Sequence, residues 1–252
     1  MTTVDLNADL GEWDGPGVSL VDARLLSLAT SANIACGGHA GTPDVMFATV
    51  TLAHQQGVAI GAHPGYADRA GFGRRELDLS PAEIGAQVSE QVAAMAACCR
   101  RVGARLRYVK PHGALYNRAV RDADAARAVV EAVRAAGPLV LLCLPGSQME
   151  LQAARAGVPT AAEAFVDRGY RADGTLVPRG EAGALIEDIP VAVERALRLV
   201  TAHRLTPREG ADLTIHADSL CVHGDGAQAV SLLEAVRARF TREGIRLAAF
   251  AP

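Results

Sequence analysis

Along most of this chain one unit recurs: an amphipathic helix, a glycine, a short apolar strand, then a polar cluster. Glycine closes a helix cheaply because it accepts the left-handed conformation at the first non-helical position. Gly57 precedes Val-Ala-Ile-Gly-Ala-His, Gly103 precedes Leu106-Arg-Tyr-Val-Lys, and Gly137 precedes Leu139-Val-Leu-Leu-Cys-Leu; Gly157 and Gly244 introduce two further runs. Helix starts are equally legible. Ser80-Pro81-Ala82-Glu83 is a capping box with proline at the first helical position, and Thr42-Pro43-Asp44 opens another helix in the same way. Ile84, Val88, Val92, Met95 and Cys99 then recur at helical spacing as one apolar stripe. Residues 189–202 and 227–240 supply two more helices.

Short apolar strands alternating with helices argue for a parallel sheet, covered on both faces or closed into a barrel. Candidate strands lie near residues 4–8, 32–36, 58–62, 106–110, 139–144, 159–163, 213–217 and 246–250. No Gly-x-Gly-x-x-Gly follows the first strand, which weighs against a dinucleotide-binding sheet. No Pro- or Ser-rich linker divides the chain. The expectation is one α/β domain over residues 1–252, a distorted TIM-like (β/α) barrel of seven or eight strands. Residues 167–187, rich in Gly and Arg, read as a long loop over one end.

Composition narrows the partners. Half of the 252 residues are apolar and the formal charge is −3, with arginines scattered rather than massed. No basic tract suggests nucleic acid or an anionic membrane. The longest apolar run, Leu139 to Leu144, is too short to span a bilayer. Five cysteines without a Cys-x-x-Cys pair fit reduced thiols in the cytoplasm, and no secretory signal is visible at the N-terminus.

In parallel α/β folds, chemistry gathers at the carboxyl ends of strands. The first candidate strand carries Asp5, Asn7 and Asp9 on one side and runs into Glu12. The second ends in Cys36-Gly-Gly-His39, the third in His63-Pro-Gly65, the fourth in Lys110-Pro-His112-Gly113. The seventh gives His216-Ala-Asp218, with His223-Gly-Asp225 close behind. Lys110 is the one lysine among 24 arginines. Its compact ammonium has a pKa that surroundings can move, unlike a guanidinium. Any one of these residues could be structural: a strand-end histidine, a capping carboxylate, or a solvated Arg74–Arg75 pair. Five strand ends carrying His, Asp or Lys around one axis are another matter, because unpaired buried polar groups cost free energy. That convergence points to a shared site. His54 and His203, near helix C-termini, read as structural. No Walker-type loop and no Gly-x-Ser-x-Gly elbow is present. Asp9, His39 and His63 are a plausible divalent-metal set, but their spacing matches no compact motif, and no tightly bound metal is assigned.

At these residues the chain closely resembles the LamB/YcsF family, described as the A subunit of bacterial 5-oxoprolinase. The matching segments are Asp5-Leu-Asn-Ala-Asp-Leu-Gly-Glu12, Asn33-Ile-Ala-Cys-Gly-Gly-His-Ala-Gly41, Gly61-Ala-His-Pro-Gly-Tyr66, Gly71-Phe-Gly-Arg-Arg75, Val109-Lys-Pro-His-Gly-Ala-Leu-Tyr-Asn117, Glu163-Ala-Phe-Val-Asp-Arg-Gly-Tyr170, Leu176-Val-Pro-Arg179 and His223-Gly-Asp225. The resemblance implies a barrel related to polysaccharide deacetylases, relatives that bind a metal through an Asp and two His. It implies hydrolysis of 5-oxo-L-proline to L-glutamate coupled to ATP as co-substrate, with Mg2+, in concert with partner subunits B and C. On that basis Lys110 would hold carboxylate or phosphoryl charge, and His112 and His63 would move protons. Asp9 or Asp218 would orient an imidazole or act as base. His39 completes the catalytic group, while Asn7, Glu12, Arg74, Arg75, Arg168 and His223 are candidates for binding substrate or nucleotide. Competing readings are a metal-dependent amidohydrolase or deacetylase acting alone, a non-catalytic substrate carrier, and a Schiff-base aldolase built on Lys110.

Overall fold

The structure, a computed structural model, describes residues 2–251 except Asp225 and Ala227. The Asp225 end of the last matching segment, and position 227 at the start of the expected final helix, therefore lie outside the described residues. In chain order the elements are β1 (Thr3–Leu10), α1 (Leu20–Leu26), β2 (Ser31–Ala35), α2 (Pro43–Gln55), β3 (Ala59–His63), α3 (Pro81–Arg101), β4 (Leu106–Val109), α4 (Gly113–Arg121), α5 (Ala123–Ala136), β5 (Val140–Cys143), α6 (Gln148–Ala156) and β6 (Thr160–Phe165). They continue as α7 (Ile189–Ala202), β7 (Arg204–Leu205), β8 (Leu213–Thr214), β9 (Ser219–Val222), α8 (Ala229–Arg242) and β10 (Arg246–Leu247).

Strands β1 to β6 pair in sequence order, all parallel, and β9 pairs with both β6 and β1, closing a seven-stranded barrel. The short β10 joins the start of β1 from outside that closure. The helices cover the barrel for the reason the periodicity gave. On α3, Ile84, Val88, Val92, Met95 and Cys99 are all buried, behind a capping box made by Ser80 and Glu83. Each such side chain contributes roughly 1.5–3 kcal/mol by leaving water.

The barrel interior is polar. Alternation along β1 sends Leu6, Ala8 and Leu10 into the hydrophobic core and leaves Asp5, Asn7 and Asp9 to face inward. Those three are buried and must be satisfied from neighbouring strands. Thr30 and Ser31 donate to Asp5, as does Ser219. Asn7 donates to Ser219 and accepts from Asn33, and Asn33 also donates to Asp9 at 2.8 Å. Tyr108 donates its hydroxyl to Asn33 at 2.7 Å. Its ring fits because residue 61 is glycine: a Cβ there would stand 2.2 Å from the ring.

One strand is displaced from its expected place. Leu213–Thr214 pairs antiparallel with β7 in a small ribbon outside the barrel, and the seventh barrel strand is Ser219–Val222. Asp218 consequently precedes its strand. Its carboxylate accepts from the Ala162 backbone N–H near the start of β6, at the end of the barrel opposite the strand termini. His216 is exposed and rests on His203, with ring centroids 4.1 Å apart.

Candidate active site

Four strand termini meet around Lys110. The residue follows β4 directly, and its side chain is almost wholly buried. Its Nζ lies 2.8 Å from Asp9 Oδ1, 2.8 Å from Glu163 Oε1, 3.0 Å from Cys221 Sγ and 3.4 Å from Asn7 Oδ1. Burial alone would lower an ammonium pKa, but Asp9, Cys221 and Glu163 outweigh it and raise Lys110 well above its ordinary value. Burial likewise favours a neutral Asp9, yet the charges of His63 and Lys110 hold it well below the usual carboxylate range. Burial pushes the Cys221 thiol far up despite the neighbouring ammonium, which disfavours the thiolate. Lys110 is thus a fixed cation at the pocket floor.

Beside it stands a carboxylate among imidazoles. Glu12 Oε1 lies 2.9 Å from His39 Nε2, 3.2 Å from His112 Nδ1 and 3.8 Å from His63 Nε2. Burial opposes its charge, but the adjoining His112 and His39 rings lower its pKa overall. The rings of His39 and His112 stack with centroids 3.7 Å apart. Burial depresses His39 to about 4 and lowers His112 as well. For His63 burial acts the same way, but Asp9 beside it reverses the sign and raises it. The turn after the Arg69–Gly71 3-10 helix presses on this stack. Gly73 sits at φ +62°, where a Cβ would come 2.7 Å from His39 Cβ.

Above these groups opens a cavity of about 200 Å³, lined by Asp9, Glu12, His63, Lys110 and His112 below and by Arg74, Arg168, Arg179 and His223 at its mouth. The segment after β6 forms that mouth. Arg168 donates to the carbonyls of Ala184 and Val177 and so ties the loop across itself. Burial and the nearby Arg179 lower its pKa to about 10. His223 pairs with Asp167 at 2.9 Å. Burial would raise Asp167, but His223 brings it below the ordinary carboxylate value.

The residues expected from sequence therefore separate. Asp9, Glu12, His63, Lys110, His112, Arg74, Arg168 and His223 line one cavity. His39 stands behind the lining against Glu12 and His112. Asn7 is completely buried beneath Lys110 and supports the floor instead of facing a ligand. Asp218 lies at the far end of the barrel, as the shift of its strand requires. Arg75 turns away, because its guanidinium is taken by Asp68 on the adjacent turn. Glu163, Arg179, Tyr116 and Phe165 were not singled out by sequence reasoning, although all four fall within the matching segments. Glu163 sits within a strand, not after one, so the strand-end rule passed over it.

Among the described residues, Glu12, His39, His63 and His112 offer ligand atoms within 4.8 Å of one another. Asp9, expected with the two histidines, gives Oδ1 to Lys110 and holds Oδ2 3.4 Å from His63 Nε2, while Glu12 is the carboxylate against His39 and His112.

Known proteins resemble this chain in sequence and in fold. The LamB/YcsF family matches residues 4–252. A 5-oxoprolinase A subunit from Streptomyces avermitilis is 49% identical over 249 residues, covering 98% of this chain and 100% of that protein. The crystal structure of a lactam utilization protein from Thermus thermophilus superposes with a TM-score of 0.92 at 43% identity, covering 98% of this chain and 100% of the other. A family 4 carbohydrate esterase from Streptomyces lividans shares the fold alone, with a TM-score of 0.52 at 13% identity over 100% of this chain and 94% of that one.

Proposed function

The chain belongs to the LamB/YcsF family, and from that premise we propose that it is the A subunit of a 5-oxoprolinase, opening 5-oxo-L-proline to L-glutamate with ATP and partner subunits B and C. The observation that carries this reading is the buried Lys110 ammonium between Asp9 and Glu163, facing a carboxylate–imidazole cluster across one small cavity. A lactam is a stable amide, and its cleavage needs a cation for developing oxygen charge, an activated water and a proton for the leaving nitrogen. The site has groups for all three. The cavity is smaller than the roughly 300–1,000 Å³ typical of drug-sized ligands, which suits one small cyclic amide.

In this reading the γ-phosphoryl group of ATP passes to the lactam oxygen, leaving ADP. Water then adds to the activated carbon, the C–N bond breaks and the ring nitrogen takes a proton, giving γ-glutamyl phosphate. A second water releases phosphate and glutamate. Lys110 holds the oxygen charge from the floor; Arg74, Arg168 and Arg179 face the phosphoryl and carboxylate groups from the mouth. Glu12 and the imidazoles hold the attacking water and move its proton. Identity at nearly half the residues with a protein named as a 5-oxoprolinase component supports the substrate, and its naming as one subunit supports a multi-chain assembly.

The test is 5-oxoproline-dependent ATP hydrolysis by the purified chain with and without the partner subunits. Turnover only in the complete mixture, with glutamate and phosphate released together, is the expected result. Amide cleavage by the isolated chain without ATP would instead favour an amidohydrolase acting alone. Binding of 5-oxoproline with no contribution to turnover would favour a carrier.

A further inference from the structure

The backbone carbonyls behind the imidazoles beside Glu12 select tautomers that, when both rings are neutral, turn two nitrogen lone pairs toward one point. His63 Nδ1 is 2.7 Å from the Lys110 carbonyl oxygen, and His112 Nε2 is 3.0 Å from the Phe72 carbonyl oxygen. A carbonyl only accepts, so both of these nitrogens carry hydrogen. In the neutral rings, His63 Nε2 and His112 Nδ1 are then bare acceptors, and they face each other at 3.0 Å. The same nitrogens also face acidic oxygens: Asp9 Oδ2 is 3.4 Å from His63 Nε2, and Glu12 Oε1 is 3.2 Å from His112 Nδ1. Two nitrogen lone pairs and two carboxylates converging out of water repel one another unless a positive charge lies among them. Lys110 does not fill that place, because its ammonium is directed to Asp9 Oδ1, Glu163 and Cys221.

We propose that Glu12, His63 and His112 bind a divalent transition-metal ion of the zinc class at the wall of the cavity. Their ligand atoms are 3.0, 3.2 and 3.8 Å apart. An ion with ligands at 2.0–2.1 Å in tetrahedral array needs them about 3.4 Å apart. Imidazole nitrogens favour zinc, cobalt, nickel or iron over magnesium, which prefers oxygen. The two backbone carbonyls behind His63 and His112 are the outer partners that orient metal-bound imidazoles. His39 is not a ligand. Its ring lies parallel to His112, 1° from coplanar orientation and 3.7 Å away, so the two rings do not point to one centre. It steadies Glu12 by donating from Nε2.

This inference concerns the site and not the substrate, so it stands or falls apart from the lactam reading. Its test uses untagged full-length protein, stripped by chelator and titrated with Zn2+ or Co2+. One ion per chain is expected, with visible absorption bands for Co2+ and no displacement by millimolar Mg2+. Glu12→Gln and His112→Gln should each weaken binding at least about tenfold, while His216→Gln, on the outside of the barrel, should leave it unchanged. Circular dichroism checks that the variants fold. For the wild type, 15N NMR of the imidazoles should show the His63 Nε2 and His112 Nδ1 resonances move on Zn2+ addition. Ring resonances indifferent to Zn2+, absence of stoichiometric uptake, or equal binding by Glu12→Gln and His112→Gln would overturn the proposal. A shared proton on His63 would then be the neutralising charge.

Discussion

Lys110 Nζ and Glu163 Oε1 lie 2.8 Å apart in the barrel floor, yet the carboxylate oxygens of Glu163 receive no well-directed hydrogen bond. Asp9 by contrast accepts from Lys110 along a good direction, also at 2.8 Å. The lysine therefore serves two buried carboxyl groups unequally. Removing it strands both, whereas removing Glu163 leaves the Asp9 pair intact. Lys110→Met should cost about 3–5 kcal/mol of stability, the usual penalty for breaking a buried pair. Glu163→Gln should cost less than about 2 kcal/mol. Urea denaturation of the two variants measures the difference, and a larger loss in Glu163→Gln would contradict this division of roles.

Asp5, at the other end of the same polar column, makes stability depend on pH. Burial raises its pKa from 3.8 to about 6, against the three hydroxyls of Ser219, Ser31 and Thr30 that favour its charge. A folded-state pKa above the unfolded value means that the native state holds the proton more tightly. The contribution to stability is full below about pH 4 and is lost as pH rises through 6. Asp5→Asn should gain on the wild type by roughly 3 kcal/mol between pH 4 and pH 7. Parallel stability curves for the two proteins across that window would rule the effect out.

The barrel register makes a third prediction. Asp218 lies at the end away from the cavity and holds the Ala162 N–H at 2.8 Å. Asp218→Ala should leave turnover within about twofold and cost about 1 kcal/mol of stability, one hydrogen bond's net worth. A large loss of activity without loss of stability would put Asp218 back among the reacting groups.

Around that residue the strand register was not legible in the sequence. Helix caps, glycine stops and apolar runs located β1 to β6 closely, because each strand is bracketed by strong local signals. The last barrel strand had no such bracket. Leu213-Thr-Ile-His alternates convincingly, but its partner is the two-residue β7 in a surface ribbon. The true strand, Ser219-Leu-Cys-Val222, is only four residues long and follows a histidine and an aspartate that resemble a strand end. The shifted strand is what carried Asp218 into the expected site. Side-chain direction was a second limit: Arg74 and Arg75 are indistinguishable in sequence, and only the position of Asp68 shows which one leaves the cavity. The floor was more legible, since alternation along β1 correctly turned Asp5, Asn7 and Asp9 to one side.

Gly73 controls the packing of the histidine stack. Alanine there would meet His39 Cβ at 2.7 Å and His112 Cδ2 at 3.0 Å, in a left-handed conformation that already disfavours a side chain. Gly73→Ala should cost about 1–2 kcal/mol from the backbone alone. Because the turn also carries Arg74, turnover should fall further than stability does. Thermal melting beside steady-state kinetics tests this; unchanged kinetics would show that the stack tolerates displacement.

The proposed function requires that the single lysine, as a compact ammonium in a closed floor, do what a guanidinium cannot. Arginine would keep the charge, but its planar fork is larger and does not fit a nearly fully buried point between Asp9, Glu163 and Cys221. The most direct measurement is glutamate release from 5-oxo-L-proline by Lys110→Arg, with ATP and the partner subunits present and assembly checked by gel filtration. The expected result is an assembled complex slowed by at least about 100-fold, the scale of losing one positioned charge at a reacting oxygen. Near-normal glutamate release by that variant would contradict it.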